Sequence, residues 1–226
     1  MEFAPIRCYE DFLTALRGAG FSMGGSSENI FSLCDHFAEN IRWHTGDPET
    51  DPWVWRRRAV EEGDIAYGKF FFHKGGYITR EWLPLFMAVR RDGLELVELY
   101  EDGAVSRMEK DAYEMICGAG RISFSELKSL LAVRRESASR FESACVSLQN
   151  RMFITICGET RKRSAMGEPY GWPVNVFCPI ERAFDGELWE DACGYDAAEA
   201  EDILRRRILE LNPAADEKVI RKFIRG

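Results

Sequence analysis

The chain has 226 residues, 46% of them hydrophobic and 12% aromatic, and a formal net charge of −8. That length carries one large domain or two small ones with a real core. The acidic balance excludes a generally basic nucleic-acid binder, so any DNA contact has to come from a local basic surface.

The seven cysteines (Cys8, Cys34, Cys117, Cys145, Cys157, Cys178 and Cys193) show no CxxC spacing. Their odd number and long intervals fit reduced, mostly buried thiols of a cytoplasmic protein. The opening MEFAPIRCYEDF has no basic region followed by an apolar run, so no signal peptide is expected. No apolar run reaches the roughly 18 residues of a membrane span.

In chain order, CYEDFLTALRG (8–18) reads as a short helix with Phe12, Leu13 and Leu16 inward. GAGFSMGGSSEN (18–29) reads as a Gly/Ser-rich loop. NIFSLCDHFAENI (29–41) predicts a second helix, because Ile30, Phe31, Cys34, Phe37, Ala38 and Ile41 recur with a period near 3.6. HTGDPETDPWVWRRR (44–58) opens as a loop and enters a helix, with Asp51 as N-cap and Pro52 at the first helical position. Gly63 ends that helix. Residues 65–73 and 94–100 are short apolar runs that helix and strand fit equally well. Gly75-Gly76 is the expected turn between them, and Thr79 with Pro84 marks another helix start.

From Val105 the pattern is clearer. SRMEKDAYEMICGAG (106–120) predicts a helix with Met108, Ala112, Met115 and Ile116 inward. RISF (121–124) is a short strand. SELKSLLA (125–132) is a short helix capped by Ser125, with Leu127, Leu130 and Leu131 apolar. VRRESASRFESACVSLQN (133–150) is a longer helix on the line Phe141, Ala144, Cys145, Leu148. MFITICG and VNVFCPI are the strands of a hairpin, joined by GETRKRSAMGEPYGWP. Helix, short strand, short helix, long helix and hairpin is the order of a winged helix. Two further helices, lined by Ile203, Leu204, Ile208 and Leu211 and by Val219, Ile220 and Phe223, close the chain. They dock on the body or mediate self-association. No internal repeat is visible.

The fold class expected is therefore α+β. A mostly helical part, 1–104, stands as a degenerate partner winged helix. A winged-helix domain spans 105–184, and a helical extension spans 185–226.

In a helix-turn-helix the second helix enters the major groove, which here assigns base or phosphate contacts to Arg135, Ser139 and Arg140. Arg161, Lys162 and Arg163 near the wing tip suit phosphate or minor-groove contact. Arg56 and Arg57, beside Arg58, suit a phosphate backbone or ion pairs along their own helix. Asp47, Glu49 and Asp51 are the candidate catalytic carboxylates for N-glycosidic hydrolysis, with Trp53 and Trp55 to stack on a base. Asp51 has a competing role as a helix cap. The three histidines, His36, His44 and His73, match no metal-ligand spacing, and no metal or cofactor is expected.

ENIRWHTGDPETDPWVWRRR, AYGKFFFHKGGYITREWLPLF and the winged-helix half together resemble AlkZ-related proteins over about residues 28–184. These are small relatives of the AlkZ/YcaQ winged-helix DNA glycosylases, which act on alkylated purines and crosslinks. The resemblance implies double-stranded DNA as partner. It does not carry over the glycosylases' Gln-x-Gln or Gln-x-Asp motif, because the only glutamine is Gln149, followed by Asn150 and Arg151. The function expected is DNA binding without that catalytic motif. The alternatives are an active base N-glycosylase using a carboxylate to activate water, and a protein-interaction module.

Overall fold

The computed structural model describes residues 3–164, 166, 168–184 and 187–226. It is a mixed fold in which helices cover one antiparallel sheet, consistent with a winged-helix-like architecture. Helix α1 (Tyr9–Ala19) leads into strand β1 (Phe21–Met23), helix α2 (Pro52–Glu61) and the hairpin of β2 (Ile65–Phe71) and β3 (Lys74–Thr79). Helices α3 (Leu83–Arg91) and α4 (Leu96–Glu101) connect to α5 (Arg107–Ala119), β4 (Ile122–Ser123), α6 (Phe124–Leu130) and α7 (Ala138–Asn150). The long hairpin of β5 (Ile154–Arg163) and β6 (Pro169–Pro179) follows, and then α8 (Ile180–Ala183), α9 (Leu188–Cys193), α10 (Ala197–Leu211) and α11 (Glu217–Arg225).

Among the described residues, the six strands form one sheet in the order β1-β3-β2-β5-β6-β4. The central join is short. Tyr67 of β2 pairs with Ile156 of β5, and the Thr155 hydroxyl donates to the Tyr67 carbonyl at 3.0 Å.

Local chemistry explains most boundaries. The Ser106 hydroxyl accepts from the Glu109 N–H while the Glu109 carboxylate accepts from the Ser106 N–H, and Ser123 with Glu126 repeats this capping box. The second box corrects the expected cap. Ser123 begins α6, not Ser125, because only Ser123 has a glutamate three residues on. Of the apolar residues of that helix, Leu127 is buried and Leu130 is 61% exposed.

Two further expectations fail for physical reasons. Residues 29–41 form only a single 3₁₀ turn, Leu33–His36. The backbone at the end of the turn is drawn to Ile6, whose N–H donates to the His36 carbonyl and whose carbonyl accepts from the Ala38 N–H, both at 2.9 Å. Ile30, Phe31, Leu33 and Ile41 are nonetheless buried, so the apolar spacing located the core without fixing the conformation. The turn between β2 and β3 falls at Phe72-His73, both with positive φ, and not at Gly75-Gly76. Those glycines lie within β3, where a Cβ on Gly75 would strike the Tyr67 hydroxyl and one on Gly76 the Phe71 ring. The two ambiguous apolar runs resolve in opposite ways: 65–71 is strand and 96–101 is helix.

The buried apolar side chains fall into two clusters. One gathers α1, β1, α2, β2, β3 and α3 together with α9, α10 and α11. The other lies beneath α4, α5, α6 and α7, against β4, β5 and β6. The closing helices dock on the body, with Leu204, Ile208, Ile220 and Phe223 in the first cluster. The buried Arg90 guanidinium holds α11 in place. It donates to the carbonyls of Ile224 at 2.8 Å, Phe223 at 2.8 Å, Phe70 at 2.8 Å and Asn150 at 2.6 Å.

Candidate functional site

The loop before α2 is organised by Asp51. Its buried carboxylate accepts from the N–H groups of His44 at 3.0 Å, Gly46 at 2.8 Å and Trp53 at 2.8 Å. Burial alone would push its pKa up. The backbone donors, first Gly46 and then Trp53 and His44, outweigh that and hold it below the usual carboxylate range. Asp47 is an exposed turn residue, accepting from the Thr50 hydroxyl at 2.6 Å and the Glu49 N–H at 3.0 Å, and these bonds lower its pKa. Glu49 is exposed and lies 4.0 Å from Arg58.

Helix α2 then separates its two tryptophans. Trp55 is fully buried against Phe12 and Phe37, and its indole N–H donates to the Pro48 carbonyl at 3.0 Å. A ring so enclosed has no face for a base, which corrects the stacking role expected of it. Trp53 is 40% exposed, with the His44 ring at 5.0 Å. The Arg56 guanidinium lies over the Trp53 ring at 3.8 Å from its centroid.

Trp53 and Arg56 form one wall of a cavity of about 460 Å³. Its other walls come from β2 (Lys69), α6 (Phe124), α7 (Glu142, Cys145, Val146, Gln149) and the β5–β6 hairpin (Glu159, Pro173, Val174, Asn175, Phe177). Helix α7 packs across β2 and α2 packs across β5, so the cavity lies between the two helices where the strands join. Each crossing has its own polar tie. Arg56 of α2 forms an ion pair with Glu159 of β5, and their side chains are only 11% and 13% exposed. Gln149 of α7 is buried; its Oε1 accepts from the Lys69 N–H at 3.0 Å and its Nε2 donates to the Cys145 carbonyl at 2.8 Å. An indole wall, a buried ion pair, an amide and Asn175 around a partly apolar space suit a planar, hydrogen-bonding ligand.

The lining of this cavity excludes Asp47, Glu49 and Asp51; the carboxylates that border it are Glu159 and Glu142. Sequence reasoning passed over Glu159. The one available signal was an acid at the head of the otherwise basic run GETRKR. Of the expected phosphate contacts, Arg56 is committed to Glu159 and Arg57 lies 3.8 Å from Glu61 one turn on. Arg135, in the 3₁₀ turn before α7, and Ser139 and Arg140, in the first turn of α7, are exposed, and Ser139 and Arg140 line a separate groove of about 630 Å³ between α5 and α7. Arg161 is exposed on β5, while the side chains of Lys162 and Arg163 lie outside the described residues. Near the same hairpin end, Trp172 is 91% exposed and Tyr170 53%, aromatic groups that no sequence pattern singles out.

A family model described as AlkZ related matches residues 6–225, well beyond the stretch that carried the resemblance. No curated protein and no solved structure matches the chain.

Proposed function

The chain belongs to the AlkZ-related family, and from that membership we propose that it binds double-stranded DNA and receives an unstacked base in the cavity beside Trp53. The observation that carries this reading is the cavity itself. It lies between two helices equivalent in the topology, and it offers an aromatic wall with polar groups set around it.

The sheet order supports a tandem winged helix. Read outward from the β2–β5 join, each half runs long strand, long strand, short strand. The first half comprises α1, β1, a 3₁₀ turn, α2 and a hairpin; the second comprises α5, β4, α6, α7 and a hairpin. In both, the short strand pairs with the second strand of the hairpin. This supports a division near 1–104, 105–184 and 185–226, with the last part packed into the core of the first.

In this reading Arg135, Ser139 and Arg140 contact the duplex from the start of α7. The hairpin contributes Arg161, Lys162 and Arg163, with Trp172 and Tyr170 beside them. Such a placement gives a chain of net charge −8 the local cationic surface that DNA requires.

Binding without base release is the reading we favour over a glycosylase. Hydrolysis needs a group free to activate water at the sugar. Asp51 is saturated by backbone donors, Glu159 is paired with Arg56, the Gln149 amide is anchored at both ends, and Glu142, the other bordering carboxylate, is exposed to solvent.

The test is a fluorescence-anisotropy titration of duplexes with and without one unpaired base, at two salt concentrations. Affinity for both is expected to fall steeply with salt. Arg135→Ala with Arg140→Ala is expected to weaken both and to reduce the salt slope by about one for each phosphate no longer neutralised. Trp53→Ala is expected to cost about 1–3 kcal/mol on the unpaired-base duplex alone. Absence of salt-dependent binding would sink the proposal. Release of an alkylated base, abolished by Glu159→Gln, would replace it with the glycosylase.

A further inference from the structure

A second cavity, of about 440 Å³, opens between the end of α2, the Gly120–Arg121 turn, β5, β6 and α8. Two thiols meet in it. Thr155 pairs with Cys178 and Ile156 with Phe177, but the register then shifts so that Gly158 pairs with Val176. Cys157 is the extra residue of a bulge. Strand alternation sends Ile156 and Phe177 into the core beneath α5 and α7, and turns Cys157 and Cys178 to the other face.

The two thiols differ in surroundings. Cys157 is partly exposed in the cavity, whereas Cys178 is buried. The Arg121 guanidinium donates to the Cys157 carbonyl at 2.6 Å and lies against its sulfur. The hydrogen bond from the Cys178 thiol, opposed by burial and reinforced by the charge of Arg121, holds the Cys157 thiol below the usual thiol range. Cys178 is pushed far up by the same hydrogen bond and by burial. Arg182 also lines the cavity, with Glu61 across from it, and Glu181 lies near Cys178. Elsewhere burial pushes Cys34 and Cys145 up to about 12.

We propose that Cys157 and Cys178 form a peroxide-reactive thiol pair, with Cys157 as the attacking thiolate and Cys178 as the resolving thiol. The Cys157 thiolate attacks one oxygen of hydrogen peroxide. The O–O bond breaks, the leaving hydroxide is neutralised to water by the proton that the Cys157 thiol gave up on ionising, and Cys157 becomes a sulfenic acid. The Cys178 sulfur then attacks the Cys157 sulfur. The S–O bond breaks, and the departing oxygen leaves as water with the Cys178 proton. Two thiols and one peroxide give one disulfide and two waters. The Arg121 charge beside the pair favours this neutral oxidant over a metal cation, which it would repel.

The experiment is iodoacetamide labelling of the whole protein across pH, read peptide by peptide by mass spectrometry, followed by one equivalent of peroxide. The Cys157 labelling midpoint is expected below the roughly 8.5 of an ordinary thiol. Arg121→Gln is expected to raise the Cys157 midpoint. Peroxide is expected to yield a linked Cys157–Cys178 peptide, lighter by two hydrogens and reversed by dithiothreitol. Cys178→Ser is expected to stop at a sulfenic acid that dimedone traps on Cys157. A Cys157 midpoint at or above the ordinary thiol value of roughly 8.5, or peroxide consumed at other cysteines while this pair stays reduced, would overturn the proposal. Neither readout depends on DNA binding.

Discussion

Asp51 shows how one side chain absorbs what looks like catalytic composition. An acid beside a histidine and two tryptophans suggests chemistry, yet its carboxylate is filled by backbone N–H groups on both sides. Its folded pKa lies below its unfolded value, so its stabilisation is fully present above the unfolded pKa of about 3.9 and is lost as pH falls through the folded value. Asp51→Asn is therefore expected to flatten the acid limb of the stability–pH curve. Asp51→Ala is expected to cost about 1–2 kcal/mol at neutral pH, read as a lowered Tm. An unchanged acid limb in Asp51→Asn would refute this account. Asp51 as N-cap was legible because capping is local. The burial of Trp55 and the exposure of Trp53 were not, since two positions two apart on a helix face different neighbours only once Phe12 and Phe37 are in place.

Helix α11 is amphipathic and the sequence places it well, but its docking depends on a residue far upstream. Arg90 satisfies the Phe223 and Ile224 carbonyls at its C-terminal end, which otherwise lack intrahelical partners. Arg90→Ala leaves four buried carbonyls without this donor. It is expected to cost about 3–5 kcal/mol and to speed amide exchange across Glu217–Arg225 while α5 and α7 stay protected. Equal loss of protection in α7 would contradict that local role. The β2–β3 hairpin teaches the converse. Gly-Gly is the usual sign of a turn, but the aromatic rings of Tyr67 and Phe71 claim those glycines, and Phe72-His73 takes the left-handed turn instead. Segment 29–41 departs from its expected helix for a related reason: periodic burial is shared by a helix and by an irregular chain pinned to Ile6.

The two halves of the sheet are joined by a short strand contact and by polar ties, among them the ion pair of Arg56 with Glu159, which spans 103 positions of sequence. Removing one partner strands a buried charge, so Arg56→Ala is expected to cost about 3–5 kcal/mol in chemical denaturation. Arg56→Met with Glu159→Leu is expected to recover most of that loss, because the desolvation cost leaves with both charges. Failure of the double variant to recover would mean that the pair contributes more than its mutual neutralisation.

The local grammar of the chain was enough to place the cap at Asp51, the helices from α5 to α7 and the β5–β6 hairpin, because each depends on residues within a few positions of one another. It also carried the family, through the stretch around residues 44–58 and the aromatic run that follows. No repeat is visible in the sequence, and the two halves of the sheet fill their cores with different side chains. The cavity beside Trp53 joins residues from α2, β2, α7 and β5, and the thiol pair joins neighbouring strands across a bulge. Both depend on long-range packing and strand register, which no local pattern of residue types encodes.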